Sequence, residues 1–169
     1  MSKNQVTDAG AKLIATFINK SEKLETLQLH WNQIRAQGSM YIAKAIKVNR
    51  TVKILDLSFN SFGSGVMRRA MISDDLKKEE DVEVDQRHDK KKFECTQSAW
   101  KWRKTFMKNF TLLHADISFN GFTADDMIAI GDGLRENHNL LGCHVEGNHA
   151  KIDVLGFLVP SVSDLKEGK

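Results

Sequence analysis

Residues 24–46 read LETLQLHWNQIRAQGSMYIAKAI, and this stretch decides the predicted fold. Leu27 and Leu29 alternate with polar neighbours, which is the pattern of a short strand with one buried side. Ile42, Ala43 and Ile46 then follow with the spacing of an amphipathic helix. A strand pattern followed so closely by a helix pattern is typical of a small repeated unit, so the chain is expected to repeat at a fixed period.

A period of 28 residues runs through the chain. It is marked by asparagines at Asn4, Asn32 and Asn60, and again at Asn120 and Asn148. The step from Asn60 to Asn120 is 60 residues, which is one period of 28 plus 32 additional residues. We place the additional residues in an insertion at about 67–97, where mixed charge and few large apolar side chains predict a loop without a core of its own.

This pattern resembles the leucine-rich repeat family, and in particular its ribonuclease-inhibitor-like type with 28-residue units. The closing segment GCHVEGN, residues 142–148, is also similar to protist leucine-rich repeat proteins. The resemblance implies an α/β fold, a solenoid or horseshoe segment with parallel strands on the concave face and helices on the convex face. It also implies that each asparagine of the 28-residue series hydrogen-bonds backbone groups of neighbouring units.

The repeats divide the chain into units within one domain. A helix pattern with almost no strand is predicted for the first unit, and residues 161–169 are predicted to be a tail. The expected units are about 1–23, 24–51, 52–111 with the insertion, 112–139 and 140–160.

Composition favours a folded protein of the reducing cytoplasm. A chain of 169 residues is long enough to bury a continuous core. The 25 basic and 22 acidic residues are too balanced to imply nucleic acid. Two cysteines make no disulfide framework. Neither a signal peptide nor an apolar run of membrane-spanning length is recognised, so no membrane is predicted.

The strand patterns predict an outward surface of mainly polar side chains, which we call the strand face. Because side chains alternate along a strand, the residues between the buried leucines form three rows across neighbouring strands. The rows are Thr26, Ile54, His114 and Gly142; Gln28, Asp56, Asp116 and His144; and His30, Ser58, Ser118 and Glu146. From them we assign partner binding to Gln28, His30, Asp56, His114, Asp116, His144 and Glu146.

Two chemical readings of the strand face remain open at this point. Asp56 and Asp116 are expected side by side, where like charges raise one pKa or attract a cation or a basic partner residue. His114, Asp116 and His144 have the residue types of a metal site, but residues two apart on a strand are separated by about 6.6 Å. Neither a metal nor a cofactor is predicted.

An aromatic residue precedes the asparagine in three of the units: Trp31, Phe59 and Phe119, with Gly147 in the fourth. These positions lie where each strand ends, so the three rings are expected to form one stripe along the rim of the concave face. One interpretation is an exposed patch for a protein partner. The alternative is that the rings pack on one another and close the edge of the core.

The segment WKWRK, residues 100–104, mixes basic and aromatic residues. It is open to a reading as a nucleic-acid or membrane-surface element. The repeat register instead assigns Trp102 and Phe106 to the core, and leaves Trp100, Lys101 and Lys104 on or near the surface.

The predicted function is a non-enzymatic scaffold for protein–protein interaction. No nucleophile elbow, phosphate-binding loop or metalloprotease motif occurs, so neither catalysis nor a small-molecule substrate is predicted. The resemblance to protist proteins implies a subunit of a larger assembly, in a ciliary, axonemal or cytoskeletal setting. The alternatives are a small-GTPase regulator resembling the Ran GTPase activator, and a basic-aromatic nucleic-acid-binding module.

Overall fold

A computed structural model describes residues 1–63, 95–154 and 158–160. The predicted insertion at about 67–97 lies outside the described residues, except for its last three positions. The predicted tail at 161–169 also lies outside them. Gln97, the last residue assigned to the insertion, already begins a helix.

Helices and strands alternate along the described chain as far as β4, as the repeat pattern predicts, and two further strands follow. The four helices are α1 Asp8–Lys20, α2 Ala36–Val48, α3 Gln97–Lys108 and α4 Ala124–Arg135. The six strands are β1 Thr26–Gln28, β2 Ile54–Asp56, β3 His114–Asp116, β4 Gly142–His144, β5 Ala150–Ile152 and β6 Leu158–Pro160. No strand precedes α1 in residues 1–7, which agrees with the prediction for the first unit.

Strands β1 to β4 form one parallel sheet in the order β1-β2-β3-β4. The register aligns Leu27 with Leu55, Ala115 and Cys143. It therefore confirms the first two predicted rows of the strand face, from Thr26 to Gly142 and from Gln28 to His144. Strands β5 and β6 form a separate antiparallel pair beside α4.

The core lies between the sheet and the helices. Leucines in the strands or directly after them, such as Leu29, Leu55 and Leu57, are fully buried, as are Ile42 and Ile46 of α2. Four large rings fill the middle of this core, and we call them the buried aromatic cluster: Phe62, Trp102, Phe106 and Phe122. Burial of Trp102 and Phe106 confirms the register proposed for α3.

Helix α3 is packed more tightly than its sequence suggested. It lies between α2 and α4, and the Thr105 hydroxyl donates to the Ala43 carbonyl of α2 at 2.9 Å. On the other side, a Cβ on Gly133 of α4 would stand 2.4 Å from the Arg103 carbonyl oxygen. Lys101 and Arg103 are consequently buried, at 6% and 2% exposure. The prediction that Lys101 stays near the surface is wrong, because helices cover α3 on both sides.

The asparagines of the 28-residue series form a hydrogen-bonded ladder at the strand exits. Asn60 is typical: its Nδ2 donates to the carbonyls of Leu29 and Leu57, each at 3.0 Å, and its Oδ1 accepts from the Ile34 amide at 3.2 Å. Asn32 and Asn148 make corresponding bonds. Asn120 makes the two Nδ2 bonds, to the carbonyls of Leu57 and Ile117, but its Oδ1 is buried without a donor among the described residues. Asn4 differs, since its Nδ2 donates to the carbonyl of Ser2 in its own turn.

A second ladder, at the helix exits, was not recognised from the sequence. Asn109 Nδ2 donates to the carbonyls of Ile46 at 2.6 Å and Asn49 at 3.1 Å, while its Oδ1 accepts from the amides of Thr111 and Leu112. Asn49 and Asn137 make equivalent bonds. Neighbouring units are thus joined at both ends of each strand, by the helix-exit asparagine before the strand and by the strand-exit asparagine after it.

Candidate functional site

Trp31, Phe59 and Phe119 form a continuous stack at the exits of the first three strands, which we call the aromatic ridge. Neighbouring ring centroids are 4.3 Å apart and the ring planes differ by 9° in both pairs. Trp31 is 52% exposed, Phe119 is 45% exposed and Phe59 is half-buried between them. The rings pack on one another, as one interpretation held, but they remain at the surface and do not close the core.

The backbone of the ridge is left-handed at every ring. The φ angles are 54° at Trp31 and 53° at Phe59 and Phe119, and the fourth equivalent position, Gly147, has φ 71°. Left-handed backbone costs a residue with a side chain about 1–2 kcal/mol. The turn holding the strand-exit asparagine therefore requires a conformation that suits glycine, yet three units carry large rings there. Gly147 was the one sequence signal of this requirement.

Gly147 also marks the end of the ridge. A Cβ at this position would stand 2.2 Å from Cδ1 of Phe119, so the Phe119 ring occupies the space a fourth side chain would need. The ridge is therefore limited to three rings, and its last ring lies against the backbone of the fourth unit.

The third predicted row of the strand face lies directly below the ridge. Backbone bonds from Trp31 to Ser58 and from Phe59 to Ser118 continue the register beyond the strands, at 3.1 and 3.0 Å. Ser58 and Ser118 were expected to face outward, but both are buried. Both hydroxyls nevertheless lie on the strand-face side, because each donates to a carboxylate there.

Asp56 has a partner within the chain at both of its carboxylate oxygens. Its Oδ1 accepts from the amide and hydroxyl of Ser58 at 3.1 and 2.8 Å, and its Oδ2 lies 2.7 Å from His30 Nδ1. The same His30 nitrogen is 3.0 Å from the Ser2 hydroxyl. Asp56 and Asp116 are aligned across β2 and β3 as predicted. Asp116 is aligned in turn with His144 across β3 and β4, but of the two aspartates only Asp56 pairs with an imidazole in the described ranges.

Asp116 and Glu146 form a second, more open acidic group. Asp116 Oδ1 accepts only from the amide of Ser118, at 2.9 Å, while the Ser118 hydroxyl donates to Glu146 Oε2 at 2.9 Å. A hydrogen bond from its own backbone amide is the main cause that lowers the pKa of the Glu146 carboxyl, assisted by Ser118 and by His144 at 3.8 Å. Glu146 therefore carries its negative charge over a wider pH range than a free glutamate.

The remaining predicted residues complete the strand face without forming a metal site. His114 lies over Gly142 and against His144, with ring centroids 4.9 Å apart. Gln28 is exposed on the free edge strand β1. Across the described ranges, no three histidine, cysteine or acidic side chains are gathered as metal ligands. The structure thus brings together all ten residues assigned to partner binding on one strand face and its ridge.

Neither cysteine has the properties of a nucleophile. Burial raises the pKa of the Cys143 thiol to about 12 and that of Cys95 to about 11. The thiolate is the reactive form of cysteine. Both side chains are therefore protonated near neutral pH, and Cys143 packs against the core as a small apolar residue.

The basic-aromatic segment of α3 is largely used in packing. Trp102 is buried, and its indole nitrogen donates to the Ser39 hydroxyl at 2.8 Å. Half-buried Trp100 lies beneath two cations, Arg103 at 4.8 Å and Lys104 at 5.7 Å from its ring centroid. Only part of this segment is therefore open to solvent, unlike the continuous ridge.

The leucine-rich repeat family model matches residues 20–43 and 48–65 of this chain. The match supports the leucine-rich repeat family, and the helices with a parallel sheet fit its α/β fold. Domains of this family commonly mediate protein–protein interaction and are typically non-enzymatic. No curated protein matches the chain. Among the residues that the structure describes, no helix has the length and apolar character needed to span a membrane.

Proposed function

We propose that this chain is a non-enzymatic scaffold that binds a protein partner through the strand face and the aromatic ridge. The observation that carries the proposal is the ridge itself, three stacked rings on left-handed backbone, about half exposed at its first and last rings. Exposed aromatic side chains held in one rigid arrangement are the usual centres of protein interfaces. They lose little conformational freedom on binding, which favours affinity.

Stacking energy alone does not explain why three large rings occupy these positions. Two ring contacts contribute about 0.5–1.5 kcal/mol each, whereas three left-handed residues cost about 1–2 kcal/mol each. The turn imposes the left-handed backbone with or without a ring, since Lys3 and Gly147 have φ 54° and 71° at the equivalent positions, and stacking offsets only part of that cost. A surface feature with little net value for folding is better explained by a role in recognition.

We also propose an overall shape for the chain and its division into repeat units. Each strand pairs with the next along the chain, and α1, α2, α3 and α4 pack in the same order. This supports a solenoid of the ribonuclease-inhibitor-like type, with the strand face concave. It also supports one domain, with units at about 1–23, 24–51, 52–111, 112–139 and 140–160.

We further propose that the chain acts as a subunit of a cytoplasmic assembly, in a ciliary or cytoskeletal setting. The setting is proposed from the resemblance of residues 142–148 to protist leucine-rich repeat proteins alone. Support for a partner comes from the ridge and from the polar strand face beneath it, which are suited to a protein rather than to a small molecule.

The test replaces the ridge by asparagine, in the triple variant Trp31→Asn, Phe59→Asn and Phe119→Asn. Asparagine tolerates left-handed backbone better than other residues with a side chain, so the turns are expected to survive. Wild-type and variant chains are used as bait for native proteins, with crosslinking and mass spectrometry. Proteins crosslinked to the wild type at the strand face are expected to fall at least tenfold with the variant.

The matched control changes three exposed apolar residues elsewhere, Phe17→Asn, Val48→Asn and Phe110→Asn, whose exposures of 58%, 56% and 65% resemble those of the ridge. This control is expected to keep the crosslinked proteins. If the ridge variant is folded by circular dichroism and still captures the same proteins in equal amount, the proposed interface is wrong.

A further inference from the structure

We infer that the partner places an arginine side chain on Asp116, beside the aromatic ridge. This inference rests on the proposed function and names the chemistry of the partner. The strand face as defined by its three rows contains the carboxylates of Asp56, Asp116 and Glu146 and no lysine or arginine. The three carboxylates favour a basic segment over an acidic one.

Of the three carboxylates, Asp116 accepts the fewest hydrogen bonds within the described part of the chain. Asp56 already pairs with His30 and accepts from the amide and the hydroxyl of Ser58. Glu146 accepts from the Ser118 hydroxyl and from its own backbone amide. Asp116 accepts one backbone amide through Oδ1, and no basic side chain in the described ranges pairs with it. A carboxylate has room for about four hydrogen bonds. Asp116 is therefore the position where a donor from outside the chain gains most.

The position of Asp116 favours arginine over lysine. Asp116 stands three residues before Phe119, and the Phe119 amide donates to the Glu146 carbonyl at 2.7 Å, so the last ridge ring and the two carboxylates lie at the neighbouring exits of β3 and β4. A guanidinium group donates through a planar fork and also stacks on aromatic rings, whereas an ammonium group is a strongly hydrated point charge. The combination of carboxylate and ring selects the planar cation.

The experiment titrates the full chain with a nine-residue peptide of alternating arginine and glycine, followed by amide shifts in nitrogen-15 NMR spectra. The largest shifts are expected at the amides of residues 116–119. Replacing every arginine of the peptide by citrulline, which keeps the shape and removes the charge, is expected to abolish them. Replacing arginine by lysine is expected to weaken binding several-fold. Equal binding by the citrulline or the lysine peptide would overturn the inference.

Two protein variants locate the contact. Asp116→Asn is expected to weaken binding of the arginine peptide about tenfold, the usual effect of removing a charged hydrogen-bond partner. The control Asp132→Asn removes a carboxylate of α4 that pairs with Arg135 at 3.0 Å, away from the strand face, and is expected to leave binding unchanged. Equal effects of both variants would mean a general charge effect and would contradict the assignment.

The outcome is separable from that of the proposed function. If the ridge variant loses the native partner while Asp116→Asn retains it fully, the ridge binds a protein but the arginine contact is wrong. A single-stranded thymidine oligonucleotide serves as a further probe, because bases also stack on exposed rings. If it shifts residues 116–119 more strongly than the arginine peptide does, the inferred partner chemistry is wrong.

Discussion

The described part of the chain contains two groups of packed aromatic side chains, the buried aromatic cluster and the aromatic ridge. Both contain near-parallel ring pairs: Phe62 and Trp102 differ by 6°, and Phe59 and Phe119 by 9°. They differ in burial and in backbone, because Trp102 is completely buried in a helix whereas Trp31 is half-exposed on left-handed backbone. The same residue types thus stabilise the fold in one place and are presented to solvent in the other.

The largest expected effect lies in the buried aromatic cluster. Trp102→Ala removes the largest buried side chain and leaves a cavity, so the free energy of unfolding should fall by about 3–5 kcal/mol. Trp31→Asn, the corresponding change in the ridge, should cost less than about 1 kcal/mol, since it removes a half-exposed ring and eases the backbone. Urea denaturation of both variants measures the difference. Similar losses would mean that the ridge is part of the core.

An intermediate effect is expected where the ridge meets Gly147. Gly147→Ala adds a Cβ 2.2 Å from the Phe119 ring on backbone with φ 71°. The control Gly121→Ala meets the same backbone cost at φ 70°, with nothing within 4 Å of its Cβ. The control should lose about 1 kcal/mol from the left-handed backbone.

Gly147→Ala should lose more than this control, because the Phe119 ring must also move. The NMR ring-current shifts of the ridge should change in Gly147→Ala alone. Equal stability and unchanged shifts in the two variants would show that Phe119 does not rest on the fourth unit.

The smallest effect is expected inside the ridge. Phe59→Asn removes two stacking contacts worth about 0.5–1.5 kcal/mol each, and relieves left-handed strain of about 1–2 kcal/mol. The two terms nearly cancel, so thermal unfolding should shift little, as it should for Phe110→Asn at a 65% exposed site. A loss above about 2 kcal/mol in Phe59→Asn alone would assign the ridge to folding and weaken the case for recognition.

Much of the candidate site was predictable because it repeats. The lateral alignment of Asp56 with Asp116, and of Trp31 with Phe59 and Phe119, follows from a constant period of 28 residues. The pairing partners were not predictable in the same way. The contact of His30 with Asp56, and the burial of Ser58 and Ser118 beneath the ridge, depend on side-chain rotations that no spacing rule describes.

The sequence by itself determined the order of strands and helices as far as β4, most of the core positions and the residues of the strand face, but not the antiparallel pair of β5 and β6. It did so because equivalent positions of a repeated unit have equivalent neighbours, so one pattern fixes the environment of each position in every unit. Only the tertiary structure decided that the ridge residues are left-handed, that Lys101 is enclosed between two helices, and that Asp116 keeps room for a donor. These properties arise from contacts between units, where the space left by one side chain is set by its neighbour in the next.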